Sequence, residues 1–240
     1  MKIGFHAEES QDFGEIKQRA SAFGLDLVST ETDYRLTLDK EACLRLEDAE
    51  GRKLVIDFDA AGPDYHRKAI KGKQELLARA VGSRQGVRRV LDLSAGLAQD
   101  AVFLSQLGFE VTAVERHPLL AFLLSEAKRK TSRPELRTLN FLWSEASALV
   151  TADFLSKFDA VYFDPMYPSK KKSALPRQEM LLFRGLVGKD EDAGAIVEKL
   201  VGIFSGRLVI KRPLEAPPLI RPTHSFSGKT VRYDVTVRSL

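Results

Sequence analysis

The run Asp164-Pro165-Met166-Tyr167-Pro168 combines a carboxylate, an aromatic ring and two prolines directly after a short apolar segment. Such a segment predicts a buried strand, and the prolines predict a stiff loop at its carboxyl end. The exocyclic amine of a nucleobase is a poor nucleophile, because its lone pair is delocalised into the ring. The Asp164 carboxylate and the Pro165 carbonyl could accept from the amine and aim that lone pair at an electrophilic carbon. With Tyr167 stacked on a flipped base, residues 164–167 are the predicted catalytic loop.

A second candidate site surrounds Gly96, where a predicted strand meets a predicted helix. A glycine there lets the backbone approach a ligand closely, and the start of a helix offers free N–H groups. Glu115 follows 19 residues later, at the end of the next predicted strand. An acid in that position accepts hydrogen bonds from both hydroxyls of a ribose. Although each motif alone is also typical of an ordinary turn, their combination predicts a site for an adenosine-containing ligand.

The residues after Gly96 discriminate between two classes of adenosine ligand. A pyrophosphate cofactor such as NAD favours the pattern G-x-G-x-x-G, which gives several backbone amides room to hold phosphates. This chain has one glycine there and an acid, Asp100, which would repel a pyrophosphate and attract the sulfonium and ammonium of S-adenosylmethionine. We therefore predict S-adenosylmethionine as the cofactor. Farther on, Glu145 and the Ala146 N–H could contact the adenine, although the segment also fits a helix start capped by Ser144.

The order of apolar segments predicts the fold that brings these residues together. From about residue 86 onward, strands alternate with helices, which predicts an α/β fold with a mostly parallel sheet covered on both faces. Ligands of such sheets bind beyond the carboxyl ends of the strands. Strands are predicted at residues 87–93, 109–114, 138–143, 158–163, 207–211, 223–226 and 230–237, and helices at 98–107, 118–130 and 190–204.

The N-terminal part of the chain has a different pattern. Its alternating apolar and polar segments, at residues 34–38, 43–46 and 53–58, predict a small β-rich unit. Ala61-Gly62-Pro63 is a plausible boundary. The predicted division is therefore an N-terminal subdomain of residues 1–62 and a larger domain of residues 63–240.

Composition excludes several classes of protein. No apolar run approaches the roughly 20 residues of a membrane-spanning helix, so we expect no membrane partner. The start of the chain lacks the apolar core of a signal peptide. Cys43 is the single cysteine, which excludes an internal disulfide and a cysteine-based zinc site. These features predict a cytoplasmic protein without a metal site.

The positive charges are clustered, although the net charge is only +4. A single cluster is usually a solvated loop or helix end, but several clusters in one chain favour a polyanionic partner. Those beside the predicted catalytic loop suit phosphate contacts that position a nucleic-acid strand. For the cluster at residues 66–68, a structural salt bridge is an alternative. The predicted RNA contacts are His66, Arg67, Lys68, Lys170, Lys171, Lys172, Lys211 and Arg212.

These motifs together resemble the ribosomal RNA small subunit methyltransferase J family. The most specific match is residues 164–175, because generic amino-methyltransferases have a second proline where Met166 stands. The resemblance implies a class I S-adenosylmethionine-dependent methyltransferase fold with a seven-stranded, mostly parallel sheet. It also implies 16S ribosomal RNA, or the small ribosomal subunit, as partner and N2-methylguanosine as product. The matching segments are residues 66–68 with Gly72, 92–101, 115–118, 164–175, 179–180 with 186–188, 211–213 and 216–218.

The resemblance further implies which residues bind the methyl donor. The chain departs from the family pattern at Ala98 and Gln99, where that pattern has glycine and arginine. The predicted donor-binding residues are Asp92, Ser94, Gly96, Gln99, Asp100, Glu115, Arg116, Glu145, Ala146 and Asp164.

Two other functions use part of the same pattern. An adenine-N6 methyltransferase, or one that acts on small molecules, would need the same loop chemistry, although the basic clusters argue against a free small molecule. A non-catalytic RNA-binding or assembly factor could also keep a nucleotide-binding fold. The presence of both Glu115 and the loop at Asp164 argues against that reading.

Overall fold

The computed structural model describes most of the chain. Several predictions fall outside the described residues: Tyr167, the basic clusters at 66–68 and 170–172, and the boundary at 61–63. Within the described part of the chain, no helix is long and apolar enough to cross a membrane, and no cluster of side chains could hold a metal ion. The described residues are 1–6, 13–30, 32–38, 43–60, 73–166, 178–188 and 190–238.

The helices and strands are numbered here along the chain. The strands are β1 (Lys2–His6), β2 (Asp26–Val28), β3 (Tyr34–Leu38), β4 (Leu44–Asp48), β5 (Lys53–Val55), β6 (Arg89–Asp92), β7 (Glu110–Glu115), β8 (Asn140–Trp143), β9 (Ala160–Phe163), β10 (Arg207–Pro213), β11 (His224–Ser227) and β12 (Val231–Val237). The helices are α1 (Phe13–Ser21), α2 (Lys73–Val81), α3 (Gln99–Gln106), α4 (Pro118–Lys130), α5 (Ala146–Leu149), α6 (Ala152–Leu155), α7 (Gln178–Val187) and α8 (Ala193–Ile203), with a 3₁₀ turn at Pro134–Leu136.

The chain forms two compact units, of which the first contains the described parts of residues 1–58, 117–132 and 169–188. Its five-stranded sheet has the order β2-β1-β3-β4-β5, with β1 parallel to both β2 and β3 and the remaining pairs antiparallel. The β-rich character predicted for this part of the chain is confirmed. The strands β1 and β2 and the helix α1 were not predicted.

The second unit contains the described parts of residues 59–116, 133–168 and 189–240, which include the predicted donor-binding residues and residues 164–166 of the predicted catalytic loop. Its seven-stranded sheet has the order β11-β12-β10-β9-β6-β7-β8. Five neighbouring strands, β10, β9, β6, β7 and β8, are parallel to one another. The strand β12 runs antiparallel to both β10 and β11. The α/β fold, the mostly parallel sheet and the closing hairpin predicted from the sequence are therefore confirmed.

The centre of this sheet explains where a ligand can bind. All four residues of β9 and the last three of β6 are buried, as expected for parallel strands covered on both faces. From β6 the chain runs outward to β7 and β8, then returns to β9 on the other side of β6. In open α/β sheets, ligands bind beyond the carboxyl ends of the strands at such a reversal, which here are β6 and β9.

Helix α8 covers part of the sheet core. Ile196, Val197 and Leu200 are buried in one cluster with strand residues such as Val161 and Leu208. The sequence predicted this helix from residue 190, but the helical residues start at Ala193. Asp190 therefore lies in the turn before the helix.

Candidate active site

The turn after β6 forms hydrogen bonds with residues at the ends of both neighbouring strands, β7 and β9. The buried carboxylate of Asp92 accepts from the Ser94 backbone N–H at 2.9 Å and from its hydroxyl at 3.1 Å. The Ser94 Oγ in turn accepts from the backbone N–H of Asp164 at 2.7 Å. The Gly96 N–H donates to Glu115 Oε2 at 3.0 Å. Because β7 and β9 flank β6, Glu115 and Asp164 lie at one edge of the sheet, on either side of this turn.

The same turn contains the one alanine whose backbone is left-handed among the described residues. Ala98 has φ 56° and ψ 18°, and it precedes the first residue of α3. Its N–H donates to the Ala95 carbonyl at 2.7 Å, which closes the turn. A non-glycine residue in this region is strained, by about 1 kcal/mol or more, and such strain is found at ligand-binding turns. A glycine at this position would adopt the same conformation without that strain.

The ammonium of Lys211 lies between the carboxylates of Asp100 and Asp164. Its nitrogen lies 2.9 Å from Asp100 Oδ2 and 2.8 Å from Asp164 Oδ2. Asp100 Oδ2 also accepts from the hydroxyl of the buried Tyr162 at 2.6 Å. Lys211 was predicted to contact RNA from its place in a basic pair, but the structure places it between two carboxylates of the sheet edge. Its contact with RNA stays a prediction.

The charges in this cluster influence one another. Burial lowers the pKa of Lys211, but the carboxylates of Asp100 and Asp164 outweigh it and raise that pKa overall, so the ammonium stays charged. Burial raises the pKa of Asp164, and Lys211 only partly opposes this effect. Asp100, Glu115 and Asp164 together outnumber the single ammonium of Lys211. The resulting negative character suits a cationic ligand and disfavours a pyrophosphate.

Asp92 is the most buried carboxyl of the site, with a relative exposure of 1%. Burial raises its pKa to about 7, although the hydrogen bonds from Ser94 act in the opposite direction. Since the ordinary pKa of an aspartate is about 3.9, folding favours the protonated form. The stability that this group contributes is therefore present below about pH 4 and lost as the pH rises towards 7.

Replacement of Asp92 with asparagine is expected to flatten this pH dependence. The amide is uncharged at every pH, and its oxygen can still accept from Ser94. Between pH 4 and 7, the free energy of unfolding of the wild type should fall by up to about 1.4 kcal/mol per pH unit more than that of Asp92→Asn. Urea unfolding at several pH values measures the difference, with the exposed Asp153→Asn as control. Parallel curves for Asp92→Asn and the wild type would contradict the expectation.

The strand end after β7 carries a second polar cluster, which the sequence did not predict as a whole. Arg116 Nη2 lies 2.8 Å from Asp190 Oδ1, and Asp190 Oδ2 accepts from the backbone N–H of Met166 at 2.5 Å. The Nε1 of Trp143 donates to the Arg116 carbonyl at 3.2 Å. The predicted donor-binding Arg116 and the predicted catalytic residue Met166 thus share one carboxylate, that of Asp190.

The remaining predicted site residues are placed less centrally. Gln99 is exposed at the first position of α3, and Pro165 is buried between Asp164 and Met166. Glu145 is exposed and Ala146 begins α5. The alternative reading, a cap formed by Ser144, is wrong, because the Ser144 hydroxyl donates to the Glu145 carbonyl and Glu145 is the N-cap residue.

Arg212 requires a correction. It was predicted to contact RNA, but its relative exposure is only 4%. Its Nη2 and Nε donate to the carbonyl of Pro217 at 2.9 and 3.2 Å. In the extended strand β10, neighbouring side chains point to opposite faces of the sheet. Lys211 therefore reaches the carboxylates of Asp100 and Asp164, while Arg212 is buried and bonded to the backbone.

Adenosine and a sulfonium fit the residues at this edge. Glu115 is buried at the end of β7, where an acid can accept from two ribose hydroxyls. Gly96 has no side chain that would obstruct a ligand, and the carboxylates beside it complement a cation. The residues that would hold S-adenosylmethionine are therefore Gly96, Asp100, Glu115 and Asp164.

Comparison with known proteins identifies the family of the chain. A family model described as "Putative SAM-dependent methyltransferase" matches residues 18–238. The ribosomal RNA small subunit methyltransferase J of Bdellovibrio bacteriovorus is 47% identical over 194 residues, which cover 80% of this chain and 77% of the relative. The enzyme of the same name from Pseudomonas paraeruginosa is 37% identical over 239 residues, with 94% and 91% of the two chains covered.

One solved structure shares the whole fold. It is the crystal structure of a SAM-dependent methyltransferase from Neisseria gonorrhoeae, 27% identical, with a TM-score of 0.76 over 99% of this chain and 96% of that one. The family model and these relatives match most of the chain. The chain belongs to the ribosomal RNA small subunit methyltransferase J family of S-adenosylmethionine-dependent methyltransferases.

Proposed function

We propose that this protein transfers a methyl group from S-adenosylmethionine to the exocyclic N2 amine of a guanosine in 16S ribosomal RNA. Membership of the family supports the reaction class and the kind of RNA. The single structural observation that carries the proposal is the placement of Asp164, whose backbone and carboxylate are both held at the same sheet edge as Glu115. A ribosomal substrate would place the protein in the cytoplasm of a bacterium.

Different residues of the site would bind the donor, hold the loop at Asp164 and contact the target amine. S-adenosylmethionine supplies an electrophilic methyl carbon on a sulfonium. Glu115 would accept from the ribose hydroxyls and so orient the donor. Ser94 holds the backbone of Asp164, and Lys211 holds its Oδ2, so we assign Oδ1 and the Pro165 carbonyl to the N–H groups of the target amine. Catalysis then depends on positioning and fixed charges.

The nature of the substrate can be tested with three candidates. The protein would be incubated with isotopically labelled donor and either small ribosomal subunits, naked 16S RNA or free nucleosides, followed by digestion of the RNA and separation of its nucleosides. We expect the label in N2-methylguanosine from one of the two RNA substrates. Label in N6-methyladenosine would indicate the alternative base, and no transfer to any substrate would favour a binding factor.

Neutralising the cluster at Lys170, Lys171 and Lys172 is expected to weaken RNA binding and its salt dependence. The three residues lie outside the described residues, so this prediction rests on their charge and their position after the catalytic loop. If each lysine contacts one phosphate, the triple glutamine variant should reduce the slope of log affinity against log salt by about 2 to 3. Affinity for S-adenosylhomocysteine should not change. An unaltered salt slope would place these lysines outside the RNA path.

A further inference from the structure

We propose that Asp190 is a positioning residue that holds the catalytic loop and couples it to the donor-binding side of the site. Nothing in the sequence pattern assigned a role to this residue. The inference rests on the proposed function, since it takes the loop at Asp164 as the place where the target amine binds.

The first support is the way the loop is held on both sides of Pro165. The N–H of Asp164 donates to Ser94 Oγ at 2.7 Å, and the N–H of Met166 donates to Asp190 Oδ2 at 2.5 Å. Pro165 has no N–H, so every backbone donor of this three-residue stretch has a side-chain acceptor. The Met166 bond fixes the Pro165–Met166 peptide plane and thereby the direction of the Pro165 carbonyl, whereas the Asp164 bond fixes the peptide plane that precedes Asp164.

The second support is the pairing of the other carboxylate oxygen. Asp190 Oδ1 lies 2.8 Å from Arg116 Nη2, and Arg116 directly follows Glu115, the acid assigned to the ribose. The side chain of Asp190 has a relative exposure of 16% and that of Arg116 27%. A charge-assisted pair of this exposure is less screened than a surface ion pair. One carboxylate therefore links the loop that holds the amine with the strand end that holds the donor.

A purely local role does not account for this arrangement. Helix α8 begins at Ala193 with Asp192 as its N-cap residue, so Asp190 is not the cap. The neighbouring acids Glu191 and Asp192 are exposed, whereas Asp190 is turned towards the site. Removing its carboxylate leaves the Met166 N–H without this acceptor, and the loop can then shift. A misplacement of about 1 Å can lower a rate on the order of 100-fold.

The test compares Asp190→Ala, Asp190→Asn and the control Glu191→Gln, an exposed acid one residue away. Asparagine keeps an oxygen that can accept from Met166 but loses the charge that pairs with Arg116. Three properties are measured: the single-turnover rate of methyl transfer to RNA, the affinity for S-adenosylhomocysteine, and the hydrogen exchange of the Met166 amide. Trp143 is the single tryptophan of the chain and lies against Arg116, so its fluorescence can report ligand binding.

We expect Asp190→Ala to lower the single-turnover rate about 10- to 100-fold and to speed exchange of the Met166 amide. Asp190→Asn should retain most of the rate and of the protection. Both variants should bind S-adenosylhomocysteine several-fold more weakly, because both lose the pair with Arg116. Glu191→Gln should match the wild type in all three measurements.

Two results of the rate measurement would overturn the inference. One is a rate for Asp190→Ala within about 2-fold of the wild type. The other is an equal loss of rate in the alanine and asparagine variants, accompanied by an equal fall in their melting temperatures. That pattern would indicate general destabilisation of the protein. If the wild type methylates no RNA, the proposed function fails, and the exchange of Met166 still decides the inference: unchanged protection in Asp190→Ala would refute it.

Discussion

Replacement of Asp164 with alanine is expected to reduce methyl transfer by about 10²- to 10⁴-fold, the range for removing a positioned catalytic group. The variant loses the acceptor assigned to the target amine, while Ser94 can still bind the backbone of residue 164. Because Glu115 and the turn at Gly96 stay intact, affinity for S-adenosylhomocysteine should fall but remain measurable. Single-turnover transfer and calorimetric titration of the ligand measure the two effects separately.

The control for this variant is Asp153→Ala. Asp153 has a side-chain exposure of 94% and lies in the short helix α6, so its loss changes the net charge by the same amount without touching the site. It should leave both measurements unchanged. Turnover of Asp164→Ala equal to that of the wild type would remove Asp164 from the mechanism.

Replacement of Lys211 with methionine should have the largest effect on stability. The change leaves Asp100 and Asp164 close together without the ammonium that lies between them. Breaking a buried pair by removal of one partner typically costs about 3 to 5 kcal/mol. Since the two carboxyl side chains are partly exposed, we expect a loss of about 2 to 3 kcal/mol in the free energy of unfolding at pH 7, and a marked loss of transfer.

The pH dependence of this loss has a definite sign. Burial already raises the pKa of Asp164 while Lys211 is present, and loss of the ammonium removes the interaction that lowers it. A carboxyl whose pKa is raised by folding stabilises the protein at low pH and loses that contribution as the pH rises. The difference between wild type and Lys211→Met should therefore grow from pH 5 to pH 8.

Urea unfolding of Lys211→Met at pH 5, 6, 7 and 8 measures this trend. Lys157→Met serves as the control, because Lys157 forms an exposed i,i+4 pair with Asp153 whose atoms are 3.9 Å apart. Such pairs contribute about 0.3 to 0.5 kcal/mol, so the control should change stability little at any pH. A destabilisation of Lys211→Met that is small, or that does not vary with pH, would show that the ammonium does not balance the two carboxylates.

The positions of Gly96, Glu115 and Asp164 were predictable from the sequence because each lies at the end of an apolar strand. The end of a strand can be recognised from the local pattern of apolar residues. The carboxyl ends of parallel strands lie along the same edge of the sheet. All seven strands of the larger sheet were therefore predicted within two residues of their observed bounds. The elements β1, α1 and β2 were missed, as were the helices α2, α5, α6 and α7.

The roles of Lys211, Arg212 and Asp190 depended on tertiary contacts. Adjacent basic residues look alike in a sequence, yet Lys211 pairs with Asp100 at a separation of 111 residues while Arg212 is buried on a nearby carbonyl. Asp190 resembled an ordinary acid at a helix start until its contacts with Arg116 and Met166 were known.

The sequence alone thus determined the fold class, the donor and the residues at the ends of the strands. Only the tertiary structure decided which charges face one another across those ends. The physical reason is that backbone periodicity is a local property, whereas a side chain's partner depends on strand order and on the face to which each strand turns it. A carboxylate such as that of Asp190 becomes part of the site only when folding brings its turn beside Met166 and Arg116.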